Sequence, residues 1–282
     1  MNTIEPPAEG GPITLTQWEG IKFGISAQVY RRAPGVNHSN AKEIDLSPLH
    51  YLQATTAAEE EPTDAQVIGT ILHSAILESD FSGFVVKPKD MTFQTKEGKA
   101  WRDAQTKQII TQDVAKNIAG AVVSVKNHEL ASGILYRSKG NNEVSCWKIH
   151  AATGLLIKGR ADRVATDNQE RTIIADVKSV ERGHATPGAF AREIKKWSYH
   201  TQSDWYLELF GATHFVFIVV EKEAPFDVLC RYIGPKSLRK ARELNERRLA
   251  KIKECAESGK WPGVSDQLQE IEMPDWALKD EL

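Results

Sequence analysis

The sequence predicts an α/β fold in which helices flank a mixed central β-sheet, with a helical elaboration at the N-terminal end. Three features support this fold class: helical apolar spacing in the first half, strand-like segments near the middle, and a continuously apolar strand after a further helix. That strand, at about 213–221, is expected to be buried on both faces, as parallel strands are. No internal repeat or linker divides the 282 residues.

The elements follow from local patterns of apolar spacing, capping residues and turn residues. Residues 1–20, rich in proline and glycine, are expected to form a flexible arm before a single domain over 21–282. The expected helices lie at about 40–46, 65–79, 97–130, 189–210 and 236–257, and the expected strands at about 143–149, 154–165, 171–179, 213–221 and 227–233.

The composition is ordinary for a globular protein, with 41% hydrophobic and 26% charged residues and a formal net charge of −2. The longest apolar run, residues 215–220, is far shorter than the roughly 20 residues of a membrane span. The N-terminus lacks the basic and apolar regions of a signal peptide. Three scattered cysteines argue against a disulfide framework, a zinc ribbon or an iron–sulfur cluster. We therefore expect a cytoplasmic protein without membrane association.

Two carboxylates and a lysine occupy the predicted hairpin of strands 154–165 and 171–179. A turn centred on Gln169 sets Asp162 directly opposite Asp176, and Lys178 lies on the same face as Asp176, opposite Arg160. Aspartate is depleted in strands, and like charges that face each other across a ladder are destabilising. The pair therefore needs a neutralising partner.

A divalent cation is one such partner, because Mg²⁺ binds carboxylate oxygens, waters and phosphate oxygens. Asp162, Asp176 and the backbone carbonyl of Val177 are the expected ligands. A bound Mg²⁺ polarises a phosphoryl group, and Lys178 is placed to orient or deprotonate the attacking water. The alternative is an exposed cross-strand salt-bridge lattice that adds Arg160, and the hairpin alone favours neither interpretation.

Two predicted helices carry further candidate residues. His73 lies on a largely apolar helix, with Gly69 one turn earlier, where it would let another backbone approach closely; a lone helix histidine is also typical of a hydrogen-bonded core residue. Glu78 points about 140° away from His73 on an ideal helix, so it is the weaker candidate ligand. Gln202 and Tyr206 share a helix face, where they would contact a nucleotide or border the core.

The order of these motifs resembles the PD-(D/E)xK nuclease superfamily: GxxxH followed by LE on a helix, then GRAD, then DVK, then QxxxY. Within the superfamily it is similar to the branch of lambda exonuclease and RecB-type nucleases, above all to the RecE (exonuclease VIII) nuclease domain. The segments SPLHY, WPG and MPDWA are also similar to that family's, so the resemblance covers about residues 36–280.

The resemblance implies a restriction-endonuclease-like core and a Mg²⁺-dependent exodeoxyribonuclease, with Mn²⁺ able to substitute. Such an enzyme hydrolyses linear double-stranded DNA from its 5′ ends and leaves 3′ single-stranded overhangs for recombination. The family implies a ring-shaped homo-oligomer that acts on DNA ends beside a single-strand annealing recombinase. The residues implied are Asp162, Asp176 and His73 at the metal, Lys178 as the catalytic lysine, Gln202 and Tyr206 as positioning residues, Glu143 as a further carboxylate, and Arg160 and Ser39 on the DNA.

Two other functions fit the same motifs. One is a different PD-(D/E)xK enzyme, either an endonuclease or a single-strand nuclease. The other is a non-catalytic DNA-binding module that keeps the fold. The stretch 236–253, with eight basic and two acidic residues, either meets a phosphate backbone or is a solvated helix face.

Overall fold

The computed structural model describes residues 17–57, 61–274 and 277. It has the predicted α/β fold, a mixed sheet flanked by helices. In chain order the elements are β1 (Gly20–Lys22), α1 (Ala27–Arg32), β2 (Val36–Asn37), α2 (His38–Ala41), α3 (Pro48–Thr56), α4 (Asp64–Glu78), β3 (Phe84–Val86), α5 (Lys96–Asp103), β4 (Gln108–Ile110), α6 (Gln112–Asn127), α7 (Glu129–Ser132), β5 (Lys139–Ile149), β6 (Leu156–Thr166), β7 (Thr172–Val180), α8 (Pro187–Trp197), α9 (Tyr199–Phe210), β8 (His214–Glu221), β9 (Val228–Tyr232) and α10 (Pro235–Ser258). A 3₁₀ turn (Lys42–Asp45) follows α2, and a π-helical turn (Gly133–Arg137) follows α7.

The main sheet, as far as the chain is described, has seven strands. Six follow the order β1-β5-β6-β7-β8-β9, in which β7 and β8 are parallel and the other neighbours antiparallel. The short β2 pairs with β6 in parallel, at Ile157 and Lys158. Since β5 occupies one edge of β6 along its whole length, β2 lies on the β7 side, where β7 no longer pairs with β6. The sheet therefore opens as a fork between β6 and β7.

Helices cover both faces of the sheet. On one face α8, α9 and α10 pack against strand residues such as Phe217, with Trp205 and Leu249 in the same cluster. On the other face α4 and α6 pack against the neighbouring residue Ile218, with Ile76 in that cluster. Successive residues of β8 thus enter opposite cores, as the period of two requires. None of the helices in this part of the chain has the length and apolar character needed to cross a bilayer.

The helix predicted at 65–79 is confirmed as α4. Thr63 caps it, because its hydroxyl accepts from the Gln66 backbone N–H while the Gln66 side chain accepts from the Thr63 N–H. This reciprocal capping box satisfies two donors that a helix start leaves unpaired. The strands predicted at 143–149, 154–165, 171–179, 213–221 and 227–233 are also confirmed within a few residues, as is the helix at 236–257.

Three predicted helices are wrong in extent. The segment 97–130 is divided into α5, β4 and α6, because 108–110 pairs with the distant β3. The segment 189–210 breaks at Ser198, whose φ of 59° ends α8 before α9 begins. The helix at 40–46 is the short α2 with its 3₁₀ turn, and α3 extends into a segment predicted as loop.

The predicted N-terminal arm, residues 1–20, lies mostly outside the described residues. Trp18, near its end, is buried against Trp147 with ring centroids 5.0 Å apart. The strands β1 and β2, which follow, are absent from the sequence prediction, since segments of two or three residues have no measurable periodicity.

Candidate active site

The backbone pairing of β6 is interrupted at Asp162 on both sides. The ladder to β5 skips the step between Glu143 and Asp162, and the ladder to β7 ends one step earlier, at Arg163 and Ala175. The predicted hairpin register is confirmed as far as Arg163 and Ala175. The ladder ends before the predicted pairing of Asp162 with Asp176 and of Arg160 with Lys178. Glu143 has a φ of 55°, a left-handed conformation that is uncommon for a residue with a Cβ. Such local strain is typical of functional sites.

The Asp162 carboxylate occupies the opening of the fork. Its Oδ2 accepts the backbone N–H of Val177 at 2.8 Å and lies 2.7 Å from Nε2 of His73. A side chain thus takes the place of the missing ladder hydrogen bond and links β6 to both β7 and α4.

His73, Glu143 and Asp162 form one group of potential metal ligands. One ligand atom from each lies within 4.8 Å of the other two, and His73 Nδ1 is 3.7 Å from Glu143 Oε1. The second oxygen of Glu143 pairs with Nε of Arg160, whose Nη1 also donates to the carbonyl of Ile25. One carboxylate oxygen of Glu143 therefore faces His73, and the other binds the guanidinium of Arg160.

The electrostatics of this group favour its charged forms. Burial opposes the charge of His73, but the carboxylates of Asp162, and also of Glu143 and Asp176, raise the pKa of His73 to about 9. Burial likewise opposes ionisation of Asp162, but His73, Lys178 and the Val177 N–H together lower its pKa. The imidazolium and the carboxylate stabilise each other.

Asp176 and Lys178 form a second, adjoining pair on the α9 face of β7. Lys178 Nζ lies 2.7 Å from Asp176 Oδ2, and Gln202 donates to Asp176 Oδ1 at 2.8 Å. Burial raises the pKa of Asp176 to about 6. The charge of Lys178 opposes this rise, and the charge of Asp162 adds to it. Burial also opposes the charge of Lys178, but Asp176 and Asp162 raise its pKa above the ordinary lysine value.

The remaining predicted residues lie at varying distances from these two groups. Tyr206 is partly buried, and its hydroxyl donates to the Arg160 carbonyl at 3.0 Å. Ser39, on α2, and Glu78, at the end of α4, are exposed, and Glu78 does not belong to the ligand group. The prediction that Gly69 admits a close backbone is wrong, since a Cβ there would meet nothing within 4 Å.

The sequence prediction does not include one aromatic neighbour of the site, Tyr199. The Lys178 ammonium lies 4.7 Å from the centre of its ring, a cation–π contact that helps to fix the lysine. Tyr199 precedes Gln202 by three residues, so the helix-face argument applied to Gln202 and Tyr206 extends to it.

The donors in the fork fit a divalent cation. The carboxylates of Glu143 and Asp162 supply hard oxygen ligands, and His73 adds a nitrogen that transition metals accept. Oδ2 of Asp176 is buried and accepts no hydrogen bond of good geometry, although Lys178 is near. Asp176 does not belong to the group within 4.8 Å, so it would join the ligands only after a small movement.

A large cleft lies elsewhere, at the β6–β7 turn. It has a volume of about 900 Å³ and is lined by residues such as Arg137, Arg171 and Tyr232. It includes none of the residues predicted for the active site, so its size does not indicate where the chemistry takes place.

Comparison with solved structures places the fold. The chain is similar to a "Putative exonuclease" from Eubacterium rectale, with 14% identity and a TM-score of 0.57 over 97% of this chain and 100% of that one. A second structure, that of SSO0001, has 15% identity and a TM-score of 0.32 over 66% of this chain and 84% of its own. At this level of identity, the first match concerns the fold alone. No curated protein matches the chain.

A family model matches most of the chain. The match spans residues 37–274, from β2 past the end of α10, and includes every residue of the fork described above. The family is described as a PDDEXK-like domain of unknown function, DUF3799. This confirms the superfamily indicated by the GRAD and DVK motifs of the sequence. The chain therefore belongs to the DUF3799 family of PDDEXK-like domains.

Proposed function

We propose that this chain is a metal-dependent exodeoxyribonuclease that hydrolyses linear double-stranded DNA in the 5′→3′ direction and leaves 3′ single-stranded overhangs. The observation that carries the proposal is the fork itself, where the Asp176–Lys178 pair adjoins the His73, Glu143 and Asp162 group on a PDDEXK-like fold. Membership of that family supports a nuclease, and the resemblance to RecE supports the direction and the end preference.

The proposed metal is Mg²⁺, with Mn²⁺ as a substitute, held by His73, Glu143 and Asp162 with Asp176 beside them. The Val177 carbonyl oxygen is a further proposed ligand. The N–H and C=O of a strand residue point to the same side, and the Val177 N–H points to Asp162, so the carbonyl faces that side as well. A divalent ion bound there would supply Lewis-acid stabilisation of charge on the phosphate.

Lys178 acts in this proposal as a charged donor. Its raised pKa keeps the ammonium protonated near neutral pH, so it orients the attacking water or the phosphate oxygens and does not accept a proton. Gln202 holds the Asp176 carboxylate, and the Tyr199 ring contacts the lysine ammonium. These contacts fix the ammonium beside the site of attack.

The resemblance to RecE also supports a wider proposal about partners. The substrate would be a DNA end inside a ring-shaped homo-oligomer, and a cytoplasmic single-strand annealing recombinase would take up the overhang. Light scattering of the purified chain tests the oligomer, which should have three or more copies per particle. A monomer at all concentrations would contradict the ring.

Digestion of three DNA substrates tests the proposed reaction: a linear duplex labelled at its 5′ ends, the same duplex labelled at its 3′ ends, and a covalently closed circle. With Mg²⁺, we expect early release of 5′ label, late release of 3′ label and an intact circle. EDTA should abolish release. Cutting of the circle would indicate an endonuclease, and metal-independent binding without turnover would indicate a non-catalytic module.

Variants connect this activity to the fork. Asp176→Asn and Lys178→Met should each lower the rate by about 10²–10⁴-fold. The control is an exposed pair of the same residue types on α6, Asp113 and Lys116, whose charged atoms are 3.7 Å apart. Asp113→Asn and Lys116→Met should leave the rate unchanged. If the fork variants cut as fast as these controls, the site is wrongly assigned.

A further inference from the structure

A second group of metal-ligating side chains lies at the far end of β6, where the end of β5 meets α9 and α10. It consists of His150, directly after β5, Glu208 on α9 and Glu246 on α10, with one ligand atom of each within 4.8 Å of the others. Leu156, at the same end of the sheet, precedes Asp162 by six strand residues, or about 20 Å. The group is therefore separate from the fork.

The contacts within the group are long, and one of them, between His150 Nε2 and Glu246 Oε1 at 3.4 Å, is a hydrogen bond. Nε2 of His150 lies 3.3 Å from Glu246 Oε2 and 3.7 Å from Glu208 Oε1. A charge-assisted N–H···O⁻ bond is shorter, about 2.7–2.9 Å. Ligands bound at about 2.0–2.2 Å in a tetrahedron are roughly 3.3–3.6 Å apart. The two distances from His150 Nε2 are thus close to the ligand spacing of a tetrahedral site.

The imidazole of His150 is already oriented for this role. It is almost fully buried, and its Nδ1 lies 2.9 Å from Thr153 Oγ1. That oxygen accepts the Leu155 N–H at 3.4 Å, and its remaining lone pair can accept the Nδ1–H of the His150 tautomer that zinc binding requires. In this tautomer Nε2 carries a free electron pair that faces both glutamates. Metal-ligating histidines are typically fixed in this way by a group behind the ring.

The charges around the group leave it negative. Arg242 pairs with Asp204 at 2.9 Å and with Oε2 of Glu208 at 3.5 Å, and Lys148 donates to the Glu208 carbonyl at 3.1 Å. With Glu246, three carboxylates thus face two cations.

We infer that His150 Nε2, Glu208 and Glu246 form a binding site for Zn²⁺, with water in the fourth position. The imidazole nitrogen and the tetrahedral spacing select Zn²⁺ over Mg²⁺, which prefers six oxygen ligands. The ion joins β5 to α9 and α10 and so stabilises the helix that carries Gln202. The inference is independent of the proposed nuclease activity.

Zinc binding by the full chain tests the site. After EDTA treatment and dialysis, ZnCl₂ is titrated calorimetrically into the parent and into an Asp162→Asn chain, in which the fork is weakened as a competing site. In the Asp162→Asn background, Glu246→Gln should weaken zinc binding by at least 100-fold. Thr153→Val should weaken it by about 10–100-fold, because the histidine loses its orienting partner. The control is Glu243→Gln, an exposed glutamate of the same helix that pairs with Lys240.

Melting temperatures provide the second readout. In the Asp162→Asn background, zinc should raise the melting temperature of the chain and of its Glu243→Gln form but not of its Glu246→Gln form. Without metal, the three chains should melt alike, because Glu246 is partly exposed. CoCl₂ in place of zinc should give the visible absorption of a tetrahedral ion. The inference is overturned if Glu246→Gln binds zinc as tightly as Glu243→Gln, or if the Asp162→Asn chain binds none.

Discussion

His73 Nε2 lies 2.7 Å from Asp162 Oδ2, and this contact joins a helix on one face of the sheet to the strand whose pairing is interrupted. The same oxygen accepts the Val177 N–H, so Asp162 is fixed by two neighbours before any ligand arrives. His73 is therefore both a candidate ligand and the partner that sets the position of another.

His73→Asn should change which metal supports cleavage. The substitution replaces an imidazole nitrogen by an amide, and nitrogen ligands favour transition metals over Mg²⁺. We expect the Mn²⁺ concentration for half-maximal rate to rise roughly tenfold or more, and that for Mg²⁺ to rise less. Metal titrations of the digestion rate measure both. His184→Gln, at a partly exposed histidine away from the fork, serves as control. Equal effects on the two metals would contradict the assignment.

Arg160→Gln should act through Glu143. The guanidinium bridges Glu143 and the Ile25 carbonyl, so its loss frees the carboxylate and lowers the free energy of unfolding by about 1–3 kcal/mol. We expect a lower rate that higher metal concentration partly restores. If Arg160 contacts DNA phosphates instead, low salt will restore the rate and metal will not. Arg171→Gln, at an exposed pair with Asp167, is the control.

Gly159→Ala should displace α9. A Cβ at Gly159 would lie 2.7 Å from Leu209 Cδ2 and 3.2 Å from Tyr206 Cζ, closer than packed atoms allow. We expect the free energy of unfolding to fall by about 1–3 kcal/mol and the rate to fall as well, since α9 carries Gln202. Urea unfolding and digestion measure these. Gly69→Ala on α4, where a Cβ meets nothing within 4 Å, should be neutral or stabilising.

His38 should make stability depend on pH. Burial lowers the pKa of His38 to about 3. The nearby positive charge of Arg248 is the next cause, and Lys42, Lys178 and His200 add to it. Because this pKa lies below the unfolded value of about 6.5, the neutral form stabilises the fold above pH 6.5 and that stability is lost as pH falls towards 3.

Urea unfolding between pH 4 and 8 measures this contribution. The parent should lose at most about 1.4 kcal/mol per pH unit below 6.5 from His38. His38→Gln, which keeps a hydrogen-bonding group for Thr201, should reduce that slope. His214→Gln is the control at a less buried histidine. An unchanged slope in His38→Gln would mean that other groups cause the acid sensitivity.

Local patterns predict much of this fold. The Thr63 cap and the apolar spacing predict α4, and the polar turn around Gln169 predicts the hairpin register up to Arg163 and Ala175. Both depend on residues close together in the chain. The helix break at Ser198 is different, because a left-handed serine leaves no signal in apolar spacing.

The arrangement of the site is only partly accessible from the sequence. The order of His73, Asp162, Asp176 and Lys178 indicates the residue types, but the grouping depends on contacts across the sheet. Glu143 joins the group because β5 pairs with β6 and twists at a left-handed residue. The position of β2 beside β6 likewise depends on the end of the β7 ladder, which no local pattern shows.

The fork has a mechanical consequence. A continuous sheet separates the helices on its two faces, but here His73 reaches Asp162 from one face and Gln202 reaches Asp176 from the other. An ion bound between these carboxylates would fasten the two helical layers to each other through the sheet. Amide hydrogen exchange should then slow in α4 and in α9 together when metal is added, and the protein should open as one unit.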